Sequence, residues 1–203
     1  RVLFRSAVAW PSAWNEAFAQ SEPSQMFPSR PVRLIVPFAP GGAGDVLARI
    51  LGARLTEITG AQHVVDNRGG SGGLIGTDIT AKSAGNGYTQ LLHSAGISYE
   101  PALRDKLPYD TLRDLAAITL IGSTPNVLVV HPAFSARTAR ELIALAKQKP
   151  GAVTFGSGGV GSSSHLAVAL FQSLAGARFN HIPYKGSGPA LGEVIAGQIG
   201  FMI

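Results

Sequence analysis

The chain repeats one local pattern three times: a short apolar run, a loop rich in glycine and serine, and an amphipathic stretch with helical spacing. The loops cover residues 40–45, 69–73 and 156–162. Such a loop opens a helix whose first N–H groups have no partner within the helix. Those N–H groups and the positive end of the helix dipole attract anions. The sequence therefore predicts a protein that binds a small acid through its backbone rather than through charged side chains.

Composition excludes several classes of function. The 203 residues, of which 45% are hydrophobic, are enough for one large core or two small ones. The net charge of +5 would fit a nucleic-acid binder, but the lysines and arginines are scattered, and we expect no nucleic-acid partner. The chain has no cysteine, and its five histidines lack metal-ligand spacing, so we expect no disulfide, metal site or cofactor. No run of about 18 apolar residues is present to span a membrane.

The predicted elements alternate as in an α/β protein with a parallel sheet covered by helices. The first series has strands at 32–38, 63–66 and 88–93 and helices at 44–59 and 73–84, with Gly60 as a helix C-cap. The second series has helices at 136–149, 162–175 and 189–196 and strands at 153–155, 179–184 and 198–203. Residues 100–113 are predicted as loop, and two apolar runs follow at 118–121 and 127–131. Two series predict two lobes, with ligand bound at the carboxyl ends of the strands.

The lobe boundary is placed at a hinge near residues 122–125, which gives a first lobe at 29–122 and a second at 123–203. Residues 1–28 are interpreted as a disordered leader or signal remnant, because residues 17–19 resemble an A-x-A cleavage site. A non-native leader is an equal alternative. The apolar run at 198–203 predicts truncation at the C-terminus.

The loops do not match known nucleotide fingerprints, because Leu47 and Ile75 stand where a third glycine is required. Residues 69–73 do satisfy G-x-S-x-G, so an α/β serine hydrolase with Ser71 as its nucleophile is an alternative. We disfavour it because residues 67–69 separate the strand from Ser71, whereas a nucleophile elbow needs a direct strand–Ser–helix turn. His165 follows a run of serines, but no orienting carboxylate is recognisable, and we expect it to line the site or to pack. Asp45 is interpreted equally as a helix-start residue or a ligand contact.

Ordered sequence blocks along residues 27–203 resemble the Bug/TctC family, the extracytoplasmic solute receptors of tripartite tricarboxylate transport systems. The blocks are VRLIVPFAPGG at 32–42, VVDNR at 64–68, GSGG at 70–73, GYT at 87–89, LPYD at 107–110, HLA at 165–167 and HIPYKG at 181–186. Three positions depart from the pattern, with Gly69, Asn86 and Gly200 where the family usually has Pro, Asp and Asp. The change at Gly200 removes a possible site contact.

The resemblance implies a two-lobed type II periplasmic binding-protein fold and no enzymatic activity, with no catalytic residue. It implies a monomeric periplasmic receptor that delivers a small carboxylate (an organic acid, a dicarboxylate or an acidic amino acid) to the membrane components of the transporter. A truncated remnant that binds nothing is the other alternative. The substrate-binding residues carried over are Ala39, Pro40, Gly41, Gly42, Asp45, Gly70, Ser71, Gly72, Gly73 and Ser94 in the first lobe. In the second lobe they are Ser157, Gly158, Gly159, Ser162, Ser163, His165 and Lys185, the last as a cation facing the cleft.

Overall fold

A computed structural model of the chain describes residues 26–203, which form two α/β lobes. Most of the predicted leader, residues 1–25, lies outside the described residues. Its last part is described, and the ring of Phe27 lies 5.0 Å from the ring of Tyr88 at an angle of 62°. Phe27 therefore packs against the first lobe.

The first lobe is built on a three-stranded parallel sheet in the order β2-β1-β3. Its elements are β1 (Val32–Val36), α1 (Ala43–Thr59), β2 (His63–Asn67), α2 (Leu74–Ala81), β3 (Thr89–Leu91) and the short α3 (Glu100–Leu103). β1 is the central strand, and all its residues except Arg33 are apolar and buried, as is typical of a parallel strand covered on both faces. Gly52 lets α1 approach the sheet closely, since a Cβ there would lie 3.3 Å from the His63 carbonyl oxygen. α1 ends at Gly60, whose φ of 73° is the left-handed conformation predicted for a C-cap.

The second lobe has a four-stranded sheet in the order β4-β7-β5-β6, in which only the β4–β7 pair is antiparallel. Its elements are β4 (Val129–Val130), α4 (Ala139–Gln148), β5 (Thr154–Ser157), α5 (Ser163–Ala175), β6 (Asn180–Pro183), α6 (Ser187–Ile195) and β7 (Phe201–Met202). Leu142 of α4 and Val168 of α5 pack with Phe155 and Phe201 in its core. α5 begins where predicted because the Ser162 hydroxyl accepts a hydrogen bond from the His165 N–H, a helix N-cap.

The segment that joins the lobes, residues 104–128, contains no helix or strand. The run at 118–121 therefore stays outside both sheets, and the run at 127–131 contributes only the two residues of β4. Ile118, Leu120 and Val127 are exposed along this segment. An apolar run becomes a strand only when a partner strand is beside it, and none of the described strands pairs with residues 118–121. The lobe boundary at residue 122 remains a prediction.

Residues 100–113 are more ordered than a loop prediction implies. Glu100 and Tyr109 are both buried, and the Tyr109 hydroxyl donates a hydrogen bond to the Glu100 carboxylate. Burial raises the pKa of the Glu100 carboxyl, and burial together with Glu100 raises the pKa of Tyr109. This buried pair fixes α3 beside the first lobe.

Candidate functional site

The carboxyl ends of the strands in the two sheets face one another, and their loops are in direct contact. After β1, the Ala39 N–H donates a hydrogen bond of 2.8 Å to the Lys185 carbonyl, which follows β6. A Cβ on Gly186 would lie 2.8 Å from the Ala39 nitrogen, and one on Gly188 would lie 2.5 Å from the Pro40 oxygen. Glycine is required at both positions for the two backbones to approach this closely.

A second junction joins the loop after β2 to the loop after β5. Residues Ser71–Gly73 form a 3₁₀ turn, and Gly72 lies against the Val160 carbonyl of the second lobe. A Cβ on Gly72 would fall well inside the 3.0 Å that real Cβ atoms keep from that oxygen. A Cβ on Gly159 would likewise lie 2.9 Å from the Gly72 nitrogen. The backbones of the two lobes therefore touch at this point.

The third junction brings the turn after β3 to the start of α5. The Ser94 side chain accepts a hydrogen bond from the Gly96 N–H and so caps the 3₁₀ turn Ala95–Ser98. A Cβ on Gly96 would lie 3.4 Å from the Gly161 oxygen and 3.7 Å from the Ser163 nitrogen. The structure thus gathers the loops that carry the sequence-predicted site residues along one interface between the lobes.

Several N–H groups of the predicted second-lobe cradle are already bonded to side chains of their own lobe. The Gly158 N–H donates to Ser164 Oγ at 3.0 Å, and the Gly159 N–H donates to Ser157 Oγ at 3.1 Å. The Gly161 N–H donates to His165 Nδ1 at 3.3 Å. Ser157 is fully buried and His165 is half-buried, and both organise the loop in this structure.

Other helix-terminal N–H groups at the interface stay available. Within residues 26–203, no acceptor is bonded to the N–H groups of Ser163 and Ser164, in the first turn of α5, or to those of Ala43 and Gly44, in the first turn of α1. These are the groups at which a helix offers both hydrogen-bond donors and the positive end of its dipole. In the described residues they are hydrogen-bond donors of the interface that remain free.

Asp45 is engaged within the first lobe. Its carboxylate accepts a hydrogen bond of 3.0 Å from the Gly41 N–H and pairs with the Arg49 guanidinium at 3.0 Å. Burial alone would raise the pKa of Asp45, but Arg49 and the Gly41 N–H outweigh it and lower the pKa below its ordinary value. Asp45 is the third residue of α1, whose N-cap is Gly42, so the carboxylate acts at a helix start as one of the two interpretations predicts.

Two histidines and a phenylalanine form a stack beneath the second-lobe loop. The ring centroids of His165 and His181 are 4.3 Å apart, and those of His181 and Phe155 are 4.7 Å apart. Ser157 Oγ lies 2.6 Å from His181 Nε2. Burial lowers the pKa of His165, and burial together with the neighbouring His165 lowers the pKa of His181 to about 4. The stack is therefore neutral at pH 7 and supports the loop through Ser157.

The two stacked histidines, His165 and His181, make the stability of the protein depend on pH. The pKa of His181 is about 4 in the folded chain against an ordinary value of 6.5, so the unfolded chain binds the proton first as the pH falls. The contribution of neutral His181 to the free energy of unfolding is complete above pH 6.5 and is lost progressively as the pH falls towards about 4. We expect the melting temperature to fall between about pH 7 and about pH 5, and to fall less in His181→Gln, measured by circular dichroism.

Ser157→Ala is the matched control for that measurement. It removes the hydrogen bond to His181 but leaves the ring buried, so it should lower the melting temperature at every pH and keep the wild-type slope. A wild-type melting temperature that does not change between about pH 7 and about pH 5 would contradict the conclusion that His165 and His181 are buried as neutral rings.

Four residues at the interface were not among the predicted site residues: His93, Arg104, Ser164 and His181. His93 bonds the Ser94 carbonyl through Nδ1, which is therefore the protonated nitrogen, and its Nε2 is buried without a partner next to Gly73. Burial lowers the pKa of His93 to about 4. His181 is the first residue of the HIPYKG block and Ser164 directly precedes the HLA block, whereas no signal in the sequence marks His93 or Arg104.

Lys185 was predicted to place its charge in the cleft, but in the structure Arg104 places a charged side chain between the lobes. Lys185 contributes its backbone carbonyl to the interface, and its residue is exposed. Arg104 donates from Nη2 to the Ser71 carbonyl at 2.7 Å and lies 3.5 Å from the Val160 carbonyl of the second lobe. Among the residues that the structure describes, the side-chain cation that contacts both lobes here is therefore Arg104.

The part of the chain that the structure describes contains no helix long and apolar enough to cross a bilayer. Two α/β lobes that meet through glycine loops, with unpaired helix-start N–H groups between them, define a solute-binding protein of the two-lobed periplasmic type. The profile of the family described as "Tripartite tricarboxylate transporter family receptor" matches residues 47–203. The chain belongs to this family of periplasmic solute receptors.

Individual relatives agree with this assignment. The protein BugT of Bordetella pertussis (strain Tohama I) is 46% identical over 175 residues, which are 85% of this chain and 54% of BugT. The structure of the periplasmic binding protein BugD superposes with a TM-score of 0.83 at 33% identity, covering 87% of this chain and 59% of BugD. A structure of Rpa4515 from R. palustris with adipate gives a TM-score of 0.81 at 34% identity, covering 87% of this chain and 60% of that one.

This chain spans about half the length of the curated relatives that it matches. The family consists of solute-binding receptors and not of enzymes, so the hydrolase alternative at Ser71 is set aside. The two-lobed periplasmic binding-protein fold expected from the sequence is confirmed.

Proposed function

We propose that this chain binds a small carboxylate between its lobes and, as part of a monomeric receptor, presents it to the membrane components of a tripartite tricarboxylate transporter. The observation that carries the proposal is the set of unpaired N–H groups at the starts of α1 and α5, at the interface where the lobes meet. A carboxylate satisfies such groups directly, and its charge is stabilised by the helix dipoles. The adipate bound to the related R. palustris protein supports this class of ligand.

The electrostatics of the interface favour an anion over a cation. The buried carboxylate nearest the first-lobe loop, Asp45, is neutralised by Arg49 and the Gly41 N–H. The buried carboxyl of Glu100 is bonded to Tyr109, and burial raises its pKa. The histidine stack is neutral, and Arg104 adds a positive charge. A ligand cation would therefore meet no free carboxylate at these positions.

Ligand entry requires the lobes to separate, because their loops touch through backbone atoms in this structure. The segment at 104–128, which contains no helix or strand, is the connection about which the lobes would move. Closing the lobes on a ligand is the hinge motion that two-lobed binding proteins use. Each junction glycine then contributes by letting the closed form pack tightly around the ligand.

A thermal-shift titration tests the proposal directly. We expect adipate, malate or citrate to raise the melting temperature of the chain, because a ligand at about 100 times its dissociation constant stabilises the folded state by about 2.7 kcal/mol. Dimethyl adipate, which keeps the carbon chain but has no charge, is the matched control and should produce no shift. A cooperative melt that no carboxylate shifts would overturn the proposal and support the remnant that binds nothing.

A further inference from the structure

Arg104 is a cation at the lobe junction that forms no salt bridge within residues 26–203, although its charge acts at longer range on the buried Glu100 carboxyl and opposes the rise of that pKa. Among residues 26–203, the salt bridges involve Arg33, Arg49, Arg54, Arg68, Lys82 and Arg113, and Arg104 makes none. Its two hydrogen-bond acceptors are backbone carbonyls, one from each lobe. A neutral carbonyl is a weaker acceptor for a guanidinium than a carboxylate is.

The position of Arg104 is held by the elements around it. It follows α3 directly, with extended backbone at φ −138°, and α3 is fixed by the buried Glu100–Tyr109 hydrogen bond. Leu103, the last residue of α3, lies 3.6 Å from the position that a Cβ on Gly161 would take. The guanidinium is thereby placed between the Ser71 turn and the Val160 loop, at the edge of the interface where the sequence predicts the ligand.

Most of the donors of Arg104 remain unused. A guanidinium has five N–H groups in a planar fork that matches the two oxygens of a carboxylate. In the described residues only Nη2 is hydrogen-bonded, and Nε and Nη1 have no acceptor. An incoming carboxylate can therefore bind two of these groups side by side.

We propose that Arg104 binds one carboxylate of a dicarboxylate ligand, while the helix-start N–H groups of the interface bind the other. The inference rests on the proposed function and narrows it, because it makes the receptor selective for dicarboxylates over monocarboxylates. Two anion-binding elements at one interface are satisfied together only by a ligand with two negative ends. Arg104 is then a specificity-determining residue that no local pattern in the sequence indicates.

The test compares adipate with hexanoate, which has the same number of carbons and a single carboxylate. In the wild-type chain we expect calorimetric titration to give a dissociation constant about 10-fold or more lower for adipate. Arg104→Gln should weaken adipate binding about 10- to 100-fold and leave hexanoate binding unchanged. Arg104→Lys, which keeps the charge but not the fork, should give an intermediate loss for adipate. Arg113→Gln, a charge removal in the same connecting segment, is the matched control and should change neither ligand.

Each alternative result is distinguishable. Equal losses for adipate and hexanoate in Arg104→Gln would show that Arg104 only holds the lobes together, which overturns the inference. Equal affinities for the two ligands in the wild-type chain would overturn it as well, while the proposed function stands. Failure of the wild-type chain to bind any carboxylate would overturn the proposed function itself. Arg104→Lys keeps the test decisive if Arg104→Gln does not fold.

Discussion

Replacing Gly72 by alanine is expected to weaken carboxylate binding about 100-fold, a loss of about 2.7 kcal/mol, and to leave the lobes apart in solution. The added Cβ would fall inside the contact limit of 3.0 Å to the Val160 carbonyl oxygen. That oxygen belongs to the backbone of the second lobe, so it has no rotamer by which to move away. The φ of Gly72 is also +72°, a conformation that alanine adopts at a cost of about 1 kcal/mol.

Two other glycines serve as control positions. They separate the effect of blocking lobe closure from the effect of straining the backbone. Gly60 has nearly the same φ, +73°, but has nothing within 4 Å of its Cβ position, so Gly60→Ala carries the strain without the clash. Gly192 lies in α6 with open space around it and has no positive φ. Gly192→Ala should be neutral or stabilising by about 0.5–1 kcal/mol.

Isothermal titration and small-angle X-ray scattering measure the outcome. Gly72→Ala should have a larger radius of gyration and weak binding, whereas both control variants should bind as the wild-type chain does. Wild-type affinity in Gly72→Ala would show that the junction at Val160 is not part of the ligand-bound state.

Leu142→Ala is expected to destabilise the second lobe by about 2–5 kcal/mol, which is a large share of the stability of a domain of this size. Leu142 is 1% exposed and packs in the core cluster with Phe155 and Phe201. Truncation removes the favourable burial of its side chain and leaves a cavity that the surrounding helices and strands fill only in part. Urea unfolding followed by circular dichroism measures the loss.

Leu174→Ala makes the same chemical change at an exposed site. Leu174 lies in α5 and is 79% exposed, so its truncation should change the stability by no more than about 0.5 kcal/mol. Comparable losses in the two variants would contradict the assignment of the core.

Local signals in the sequence predicted most of the helices and the buried strands. The start of α5 at a serine cap and the end of α1 at Gly60 agree with the prediction to within a residue, because both depend on contacts within one turn. The prediction was less accurate where pairing decides the structure. The strand expected at 88–93 is reduced to Thr89–Leu91, and the run at 118–121 forms no strand, since the length of a strand depends on the partner beside it.

The sequence predicted which loops form the candidate site, but it did not predict the hydrogen bonds within and between those loops. The glycine patterns placed the anion-binding loops at strand ends, but they did not show that Ser157 and His165 already occupy N–H groups of the second-lobe loop. Arg104 is the clearest omission. Its acceptors, Ser71 and Val160, are 33 and 56 residues away in the sequence, and no local pattern encodes a contact over such separations.

The strand order of the second lobe also determines when its sheet can form during synthesis. All three described strands of the first sheet have been made once Leu91 emerges, so they can pair while the ribosome is still translating the second lobe. In the second sheet, the place between β4 and β5 stays vacant until Phe201 and Met202 emerge, because β7 comes last in the sequence but lies inside the sheet. Filling it joins distant segments and is therefore slow. Until then β4 and β5 each have an unpaired edge, and such an edge favours pairing with another strand.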